Sequence, residues 1–330
     1  MKACVIGGGS WGSAFALYLG RLGYPTRLWI REPDIFLAAR RDRENSVFLP
    51  GYRFPADVTF HDDYEEALAG AEYVFIAVPS QFCRRVFGHL AGRLQPGQAL
   101  ISLTKGIEKS TLKRMTEVMA DCFGPTERPL AVLSGPSFSK EVAEGHPTAL
   151  VLASDESDLA HRLQGLLSSL SLRVYTTRDV VGVELAGALK NVIAIAAGIS
   201  DALRFGHNSR ASLVTRGLAE IGRLGLHMGA QRKTFAGLAG MGDLVLTCTG
   251  HLSRNRRVGL ELGAGRRLAE IVADMRMVAE GIPTTVSAYH LARREGIEMP
   301  ITEQVYAILV RRKDPRRALG DLMSRGLKDE

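Results

Sequence analysis

Cysteine is scarce and scattered: Cys4, Cys83, Cys122 and Cys248 are the only four, with no C-x-x-C pair and no histidine at ligand spacing. That spacing excludes a structural zinc site and a disulfide framework, both of which need their sulfurs clustered. Reduced, mostly buried thiols are expected, and no residue is expected to bind a metal. A long apolar run is missing at the start, where Met1-Lys2-Ala3-Cys4-Val5-Ile6 leads straight into glycines. Six residues are too few for a secretory h-region or a membrane span, so a cytoplasmic location without membrane insertion is the expectation. Internal repeats, low-complexity tracts and Lys/Arg blocks interleaved with aromatics are also absent, although the formal net charge is +7. A basic surface attracts nucleic acid, lipid headgroups and small anions alike. The scatter of the cations disfavours nucleic acid and leaves small anionic molecules as the better fit.

What the chain does have is 330 residues that are 46% hydrophobic, enough for an extensive core and longer than one domain usually runs. Up to about residue 177, short apolar runs alternate with helix-length segments, the pattern of a parallel sheet wrapped by helices. Candidate strands are 2–6, 26–30, 73–78, 99–103, 130–134, 148–153 and 172–175. Several are apolar throughout, as strands covered on both faces should be; the run Tyr73-Val74-Phe75-Ile76-Ala77-Val78 is the clearest and stops at Pro79. Beyond Val180 the β-branched runs thin out, and Ala, Leu, Gly and charged residues recur at helical spacing. The expected fold class is α/β plus all-α: a Rossmann-type parallel sheet with helices over 1–179 and an all-helical domain over 180–330. Segment 183–203 reads as one long helix, supplied with Gly and Ala on all sides and therefore buried in the second domain's core.

Gly7-Gly8-Gly9-Ser10-Trp11-Gly12 is a G-x-G-x-x-G string that follows a buried-type strand and opens a helix. Gly7 permits the tight turn, Gly9 lets backbone N–H groups approach a pyrophosphate, and Gly12 lets helix pack on strand; the helix N-terminus favours the negative charge. A dinucleotide site is implied, because three consecutive glycines are otherwise wasted backbone entropy. The second strand ends at Arg31-Glu32, where NAD-binding folds offer a carboxylate to the ribose and NADP-binding folds an arginine to the 2′-phosphate. Arg31 comes first and tilts the reading to NADP, while a solvated Arg–Glu pair explains the residues equally well; NAD and NADP both stay open.

Lys190 stands inside an apolar helix, with Ala186, Gly187, Ile193 and Ala194 at three and four residues' distance. Those neighbours offer little charge compensation and room for a ligand, and a buried ammonium is costly unless paired or deprotonated. Desolvation lowers a lysine's pKa and suits it to donate a proton to a carbonyl oxygen as hydride reaches the carbon. A lysine that snorkels from the helix edge is the comparable alternative. Lys105 follows a strand, at the carboxyl edge where such sheets bind ligands, and can meet a phosphate or substrate oxygen or be a solvated loop lysine. Gly135 and Ser137, in Ser134-Gly135-Pro136-Ser137-Phe138, could hold a substrate oxygen with their N–H groups. The densest constellation runs from Gly237 through Asp243 and Thr247 to Ser253-Arg254-Asn255-Arg256. Ser253 is a natural N-cap, so the following N–H groups with Arg254 and Asn255 would grip a phosphomonoester by dipole, hydrogen bonds and charge. Asp243 could bind a hydroxyl or orient Lys190, or simply cap the helix from 244; Arg256 and Arg257 are expected to face solvent, with the cofactor phosphates as the alternative.

Taken together these strings resemble the bacterial NAD(P)-dependent glycerol-3-phosphate dehydrogenase family over nearly the whole chain: Gly7 to Gly12, Leu103-Thr104-Lys105-Gly106, Gly135-Pro136-Ser137-Phe138, Glu184 to Asn191, Gly240 to Asn255, and Val278-Ala279-Glu280-Gly281. The resemblance implies that Lys190 is the catalytic proton donor and acceptor in the interconversion of dihydroxyacetone phosphate and sn-glycerol 3-phosphate. It implies substrate contacts from Lys105, Gly135, Ser137, Asp243, Ser253, Arg254 and Asn255. Ser10, Trp11, Arg31, Lys105, Ser139, Arg254, Val278 and Glu280 would line the cofactor; the family usually has Ala at the position of Ser139, and this chain departs there. A 6-phosphogluconate dehydrogenase-like pairing of Rossmann and helical domains and a supply of glycerol phosphate for phospholipids are implied as well. Homodimerisation through the helical half fits, though no residue marks an interface. The rivals are a related hydroxy-acid dehydrogenase, against which the block from Asp243 to Asn255 argues, and a non-catalytic dinucleotide sensor, which has no need of a lysine in an apolar helix.

Overall fold

The computed structural model describes residues 1–124 and 129–327. The chain divides into two compact units, Met1–Lys105 with Lys113–Glu184, and Gly106–Leu112 with Leu185–Glu330. The segment 106–112 leaves the first unit for the second, which resumes at Leu185. Buried Ile107 explains it, because its carbonyl accepts a hydrogen bond from Ser287 Oγ at 3.0 Å within that unit.

In the first unit the strands are β1 (Ala3–Ile6), β2 (Thr26–Trp29), β3 (Glu44–Asn45), β4 (Leu49–Arg53), β5 (Val58–His61), β6 (Tyr73–Ile76), β7 (Ala99–Ser102), β8 (Leu130–Ser134), β9 (Thr148–Ala153) and β10 (Leu172–Thr177). Eight of them form one sheet in the order β10-β9-β8-β7-β6-β1-β2-β5, while β3 and β4 pair separately. Strands β1, β6 and β7 are buried along their whole length, and their side chains divide by alternation. Phe75 enters one core with Val5, Phe15 and Ile101; Val74 and Ile76 enter the other with Cys4, Ile6 and Leu100. Each such side chain contributes about 1.5–3 kcal/mol by leaving water, which is why these short runs read so clearly as two-sided strands.

The sheet is not wholly parallel. Strand β9 pairs antiparallel with β8, and β10 follows β9 in parallel, so these two run against the other six. The physical reason is the connection: the helix Ser139–Glu144 between β8 and β9 has six residues, about 9 Å of rise. A parallel return would have to span the roughly 20 Å of a six-residue strand. The order reverses at β1, placing the crevice where such sheets bind ligands beside the carboxyl ends of β1 and β6.

The second unit is helical. Its longest element, Val180–Ala202, is long and apolar enough to cross a membrane, but 83% of its most apolar 18-residue stretch is buried inside the fold. Small residues explain how it packs. A Cβ on Gly198 would lie 2.0 Å from the Arg256 carbonyl oxygen, and one on Gly259 would lie 2.0 Å from that of Ile195. The helix Arg254–Gly263 therefore lies backbone against backbone on Val180–Ala202.

Glu220, buried on the helix Gly206–His227, accepts hydrogen bonds from the N–H groups of Ile301 at 2.6 Å and Thr302 at 3.2 Å, capping the helix Pro300–Arg311 from a distance. Burial pushes its carboxyl from 4.5 up to about 7, against the opposing pull of those donors and of Arg223. Between these values the unfolded chain has released a proton that the folded chain still holds, so stability should fall as pH rises from about 4.5 to about 7 and then level off. Glu220→Gln should flatten this slope by about 3 kcal/mol, read as the difference between urea unfolding at pH 5 and at pH 8. An unchanged slope would remove Glu220 as its source.

Candidate functional site

The dinucleotide turn is built by contact as well as by sequence. Gly7 has φ +123°, and a Cβ there would meet the Ala77 carbonyl oxygen at 2.6 Å; on Gly12 it would lie 1.9 Å from the carbonyl oxygen of Gly7. Gly9 differs: nothing lies within 4 Å of its Cβ position, so its backbone borders open space at the start of the helix Ser10–Arg21. Trp11 adds a buried Nε1 that lacks a partner among the described residues. An open backbone at a helix N-terminus fits a pyrophosphate. Asn45 holds the turn in shape, donating Nδ2 to the Gly8 carbonyl at 2.7 Å and to Ser13 Oγ at 2.9 Å. Arg31 is exposed, pairs with Glu32, and lies with its guanidinium 6.0 Å from the ring centre of Phe82; Arg85 stands 5.5 Å from the same ring.

Three of the substrate candidates meet in the first unit. Lys105 Nζ donates to the Gly135 carbonyl at 2.8 Å, and Ser137 Oγ donates to the same oxygen at 3.0 Å. Gly135 takes φ +131° to turn the chain out of β8, and Ser139 opens the short helix behind it.

In the second unit Lys190 is buried rather than snorkelling, with 8% of its side chain exposed. Its Nζ forms an ion pair with Asp243 and donates to Thr247 Oγ1 at 2.8 Å. The compensation missing from its own helix thus comes from 53 residues further on. Asp243 is 1% exposed and lies in the first turn of the helix Asp243–Thr249 rather than capping it. The π-helical turn Leu238–Gly242 delivers it, closed by the Gly242 N–H to the Gly237 carbonyl at 3.1 Å. Thr247 sits four residues on, where its hydroxyl donates to the Asp243 carbonyl at 2.6 Å and turns a lone pair to the lysine.

Ser253 caps the helix Arg254–Gly263, its Oγ accepting from the Arg256 N–H at 3.2 Å. Arg254 is exposed and donates Nη1 to the Val278 carbonyl at 3.0 Å. Asn255 accepts from the Gly281 N–H at 2.8 Å, so the segment Val278–Gly281, with Glu280, hangs from the start of this helix by two bonds. Arg256 does not face solvent: it forks onto half-buried Asp201 at 2.7 and 2.9 Å, because close helix packing encloses its stem, whereas Arg257 stays exposed beside Glu261. Cys248 is buried next to this group, and burial pushes its thiol up to about 12, which keeps it un-ionised and unreactive. Among the described residues no cluster of three or more His, Cys, Asp or Glu could hold a metal ion.

Asn45, Phe82 and Arg85 lie outside every motif, and Asn191 has no assigned role within one. Only Phe82 left a trace, an aromatic shortly after the Pro79 that ends the clearest apolar run. Asn45 acts across 37 residues on a backbone oxygen, which leaves no local pattern.

Comparison with known proteins bears on this geometry. The family model described as NAD-dependent glycerol-3-phosphate dehydrogenase N-terminus matches residues 2–160, and the corresponding C-terminus model matches 179–320. A Geobacter sulfurreducens protein named glycerol-3-phosphate dehydrogenase (NAD(P)+) is 54% identical over 327 residues, 99% of this chain and 98% of its own. One of the same name from Koribacter versatilis is 54% identical across 98% of this chain and 97% of its own. The crystal structure of glycerol-3-phosphate dehydrogenase from Coxiella burnetii matches with a TM-score of 0.95 at 41% identity, covering 98% of this chain and 99% of that one. A ketopantoate reductase from Ralstonia eutropha, 16% identical over 98% of this chain and all of its own, shares the fold alone at a TM-score of 0.62.

Proposed function

Because the chain belongs to the NAD-dependent glycerol-3-phosphate dehydrogenase family, we propose that it reduces dihydroxyacetone phosphate to sn-glycerol 3-phosphate with Lys190 as the proton donor. The observation that carries the role is the buried Nζ of Lys190, held on Asp243 and Thr247. The reduced nicotinamide, when bound, supplies the hydride to the ketone carbon. Lys190 gives its proton to the carbonyl oxygen and takes one back in the reverse direction, while Asp243 steadies the ammonium. Arg254, the cap at Ser253 and the N–H of Asn255 grip the phosphate and orient the ketone. Lys105, Gly135 and Ser137 take the remaining substrate oxygens. Gly7, Gly9, Ser10, Trp11 and Gly12 hold the pyrophosphate; Arg31, Lys105, Ser139, Arg254, Val278 and Glu280 line the rest of the dinucleotide, NADP or NAD.

We further assign the enzyme to the cytoplasm, without membrane insertion or a nucleic-acid partner, supplying phospholipid synthesis as a homodimer paired through its helical half. The buried state of Val180–Ala202 supports the absence of a membrane span. The test is an absorbance assay of NADPH or NADH oxidation by the purified protein with dihydroxyacetone phosphate, or with the oxo-acids of the related hydroxy-acid dehydrogenases. Turnover with dihydroxyacetone phosphate alone is expected. Preference for an oxo-acid would select the rival enzyme class, and no turnover with either would favour the sensor.

A further inference from the structure

Past the end of β2 the first unit gathers arginines around a fixed aromatic stack. Trp29, the last residue of β2, stacks on Tyr64 with ring centres 4.4 Å apart and planes 17° apart, and Tyr64 stacks in turn on His89 at 5.6 Å. The Trp29 Nε1 donates to the Asp62 carbonyl at 2.9 Å, which holds the first ring in its plane. Burial pushes the Tyr64 hydroxyl up, while Arg85, Arg31 and Arg93, in that order of strength, pull it the other way. Three guanidiniums thus bear on one hydroxyl. Two of them also share a ring: Arg31 stands 6.0 Å and Arg85 5.5 Å from the centre of Phe82, which lies in the first turn of the helix Ser80–Leu90 and is exposed. Glu32 pairs with Arg31, and Glu65 lies 3.6 Å from Arg93. Arg85 has no carboxylate at ion-pair distance among the described residues.

We infer that Arg31 and Arg85, gathered on Phe82, form the recognition site for the 2′-phosphate of NADP, and that Arg85 is the residue that makes this chain select NADP over NAD. The inference rests on the dinucleotide site proposed above and names the dinucleotide it takes. In a Rossmann sheet the adenosine ribose lies beyond the carboxyl end of the second strand, where a carboxylate binds the diol of NAD and an arginine the 2′-phosphate of NADP. Both residue types stand there in this chain. Glu32, however, is paired with Arg31, so a ribose hydroxyl has to compete with a guanidinium for it. A phosphate dianion meets the reverse situation: the charge of Arg85 is uncompensated, and Arg31 keeps the N–H groups that Glu32 does not take. The Phe82 ring orients both cations through its face and leaves their remaining donors to fork onto phosphate oxygens. Arg84, the neighbouring cation, is spent on Asp121 at 2.9 Å and takes no part.

Two nucleotides that differ only in the 2′-phosphate test the inference: adenosine 2′,5′-bisphosphate and 5′-AMP, each titrated calorimetrically into the purified protein. Wild type is expected to bind the bisphosphate about 10-fold or more tightly than 5′-AMP. Arg85→Ala should weaken the bisphosphate about 10- to 100-fold, the loss of a hydrogen bond to a charged group, and leave 5′-AMP within about threefold. The ratio of kcat/KM for NADPH to that for NADH should fall by a similar factor. Arg84→Ala removes the same charge one residue earlier and should leave both affinities within about twofold. A loss there equal to that of Arg85→Ala would show that net charge reads the phosphate, and would overturn the site. Equal binding of the two nucleotides by wild type overturns it as well, and so does an Arg85→Ala variant that loses both alike. Thermal melting establishes that each variant is folded, and Arg85→Gln, which keeps most of the stem and removes the charge, replaces an alanine variant that is not. None of the titrations contains dihydroxyacetone phosphate, so a protein that fails to reduce this ketone yet discriminates the nucleotides would lose the proposed reaction and keep the site.

Discussion

Lys190→Met should lower kcat for dihydroxyacetone phosphate about 1,000-fold, within the 10²–10⁴ that a positioned proton donor contributes, while the dinucleotide still binds. Methionine fills the channel of the lysine stem and has no proton to give. It also strips the partner from Asp243, which is 1% exposed, and an uncompensated buried charge costs about 3–5 kcal/mol. Lost turnover could then be lost folding, so a second variant is needed. Lys190→Met with Asp243→Asn replaces the ion pair by a neutral one and should recover most of the stability, read by urea unfolding. It should recover none of the kcat. Dinucleotide binding, followed by tryptophan fluorescence, should survive in both. A folded single variant within threefold of wild-type kcat would end the role of Lys190 as proton donor.

The ion pair also marks where sequence reasoning stops. Burial of Lys190 was one of two comparable readings, because a helix of Ala, Gly, Leu and Ile offers the ammonium little local compensation but does not stop a long stem from snorkelling. Its pairing with Asp243 was one of three open readings of that carboxylate, since Asp243 arrives from 53 residues away on a π-helical turn that no period announces. The glycines of the dinucleotide turn were legible, as Gly7 and Gly12 answer to backbone oxygens close in space and Gly9 to open space; yet Asn45, which pins the turn, comes from a two-residue strand that carries no pattern. Strand directions behave likewise. The apolar alternation of β9 is the same whichever way it runs, and only the shortness of Ser139–Glu144 sets it antiparallel to β8. Val58–His61 was missed because four residues at a sheet edge, half of them facing out, look like loop. Arg256 was expected in solvent because charge is read before packing; the glycine contacts between its helix and Val180–Ala202 bring it onto Asp201 instead.

Arg254→Gln should raise KM for dihydroxyacetone phosphate by about 10- to 100-fold, with a smaller effect on kcat. A hydrogen bond to a charged group is worth about 1.5–3 kcal/mol, and each 1.4 kcal/mol is about a factor of ten. The guanidinium suits the task because one nitrogen is already spent: Nη1 on the Val278 carbonyl fixes its plane and leaves the remaining N–H groups to fork onto phosphate oxygens. Arg254→Lys should fall between wild type and glutamine, since an ammonium keeps the charge but cannot hold Val278 and a phosphate in one plane. Ionic strength supplies an independent readout. Wild-type KM should rise as salt screens the guanidinium from the approaching dianion, and the rise should be smaller in Arg254→Gln. The N–H groups behind Ser253 and the field of the helix remain in both variants, so binding is weakened rather than abolished. If Arg254→Gln left KM and its salt dependence unchanged, the phosphate would have to be held elsewhere, and the cap at Ser253 would lose its proposed role along with Arg254.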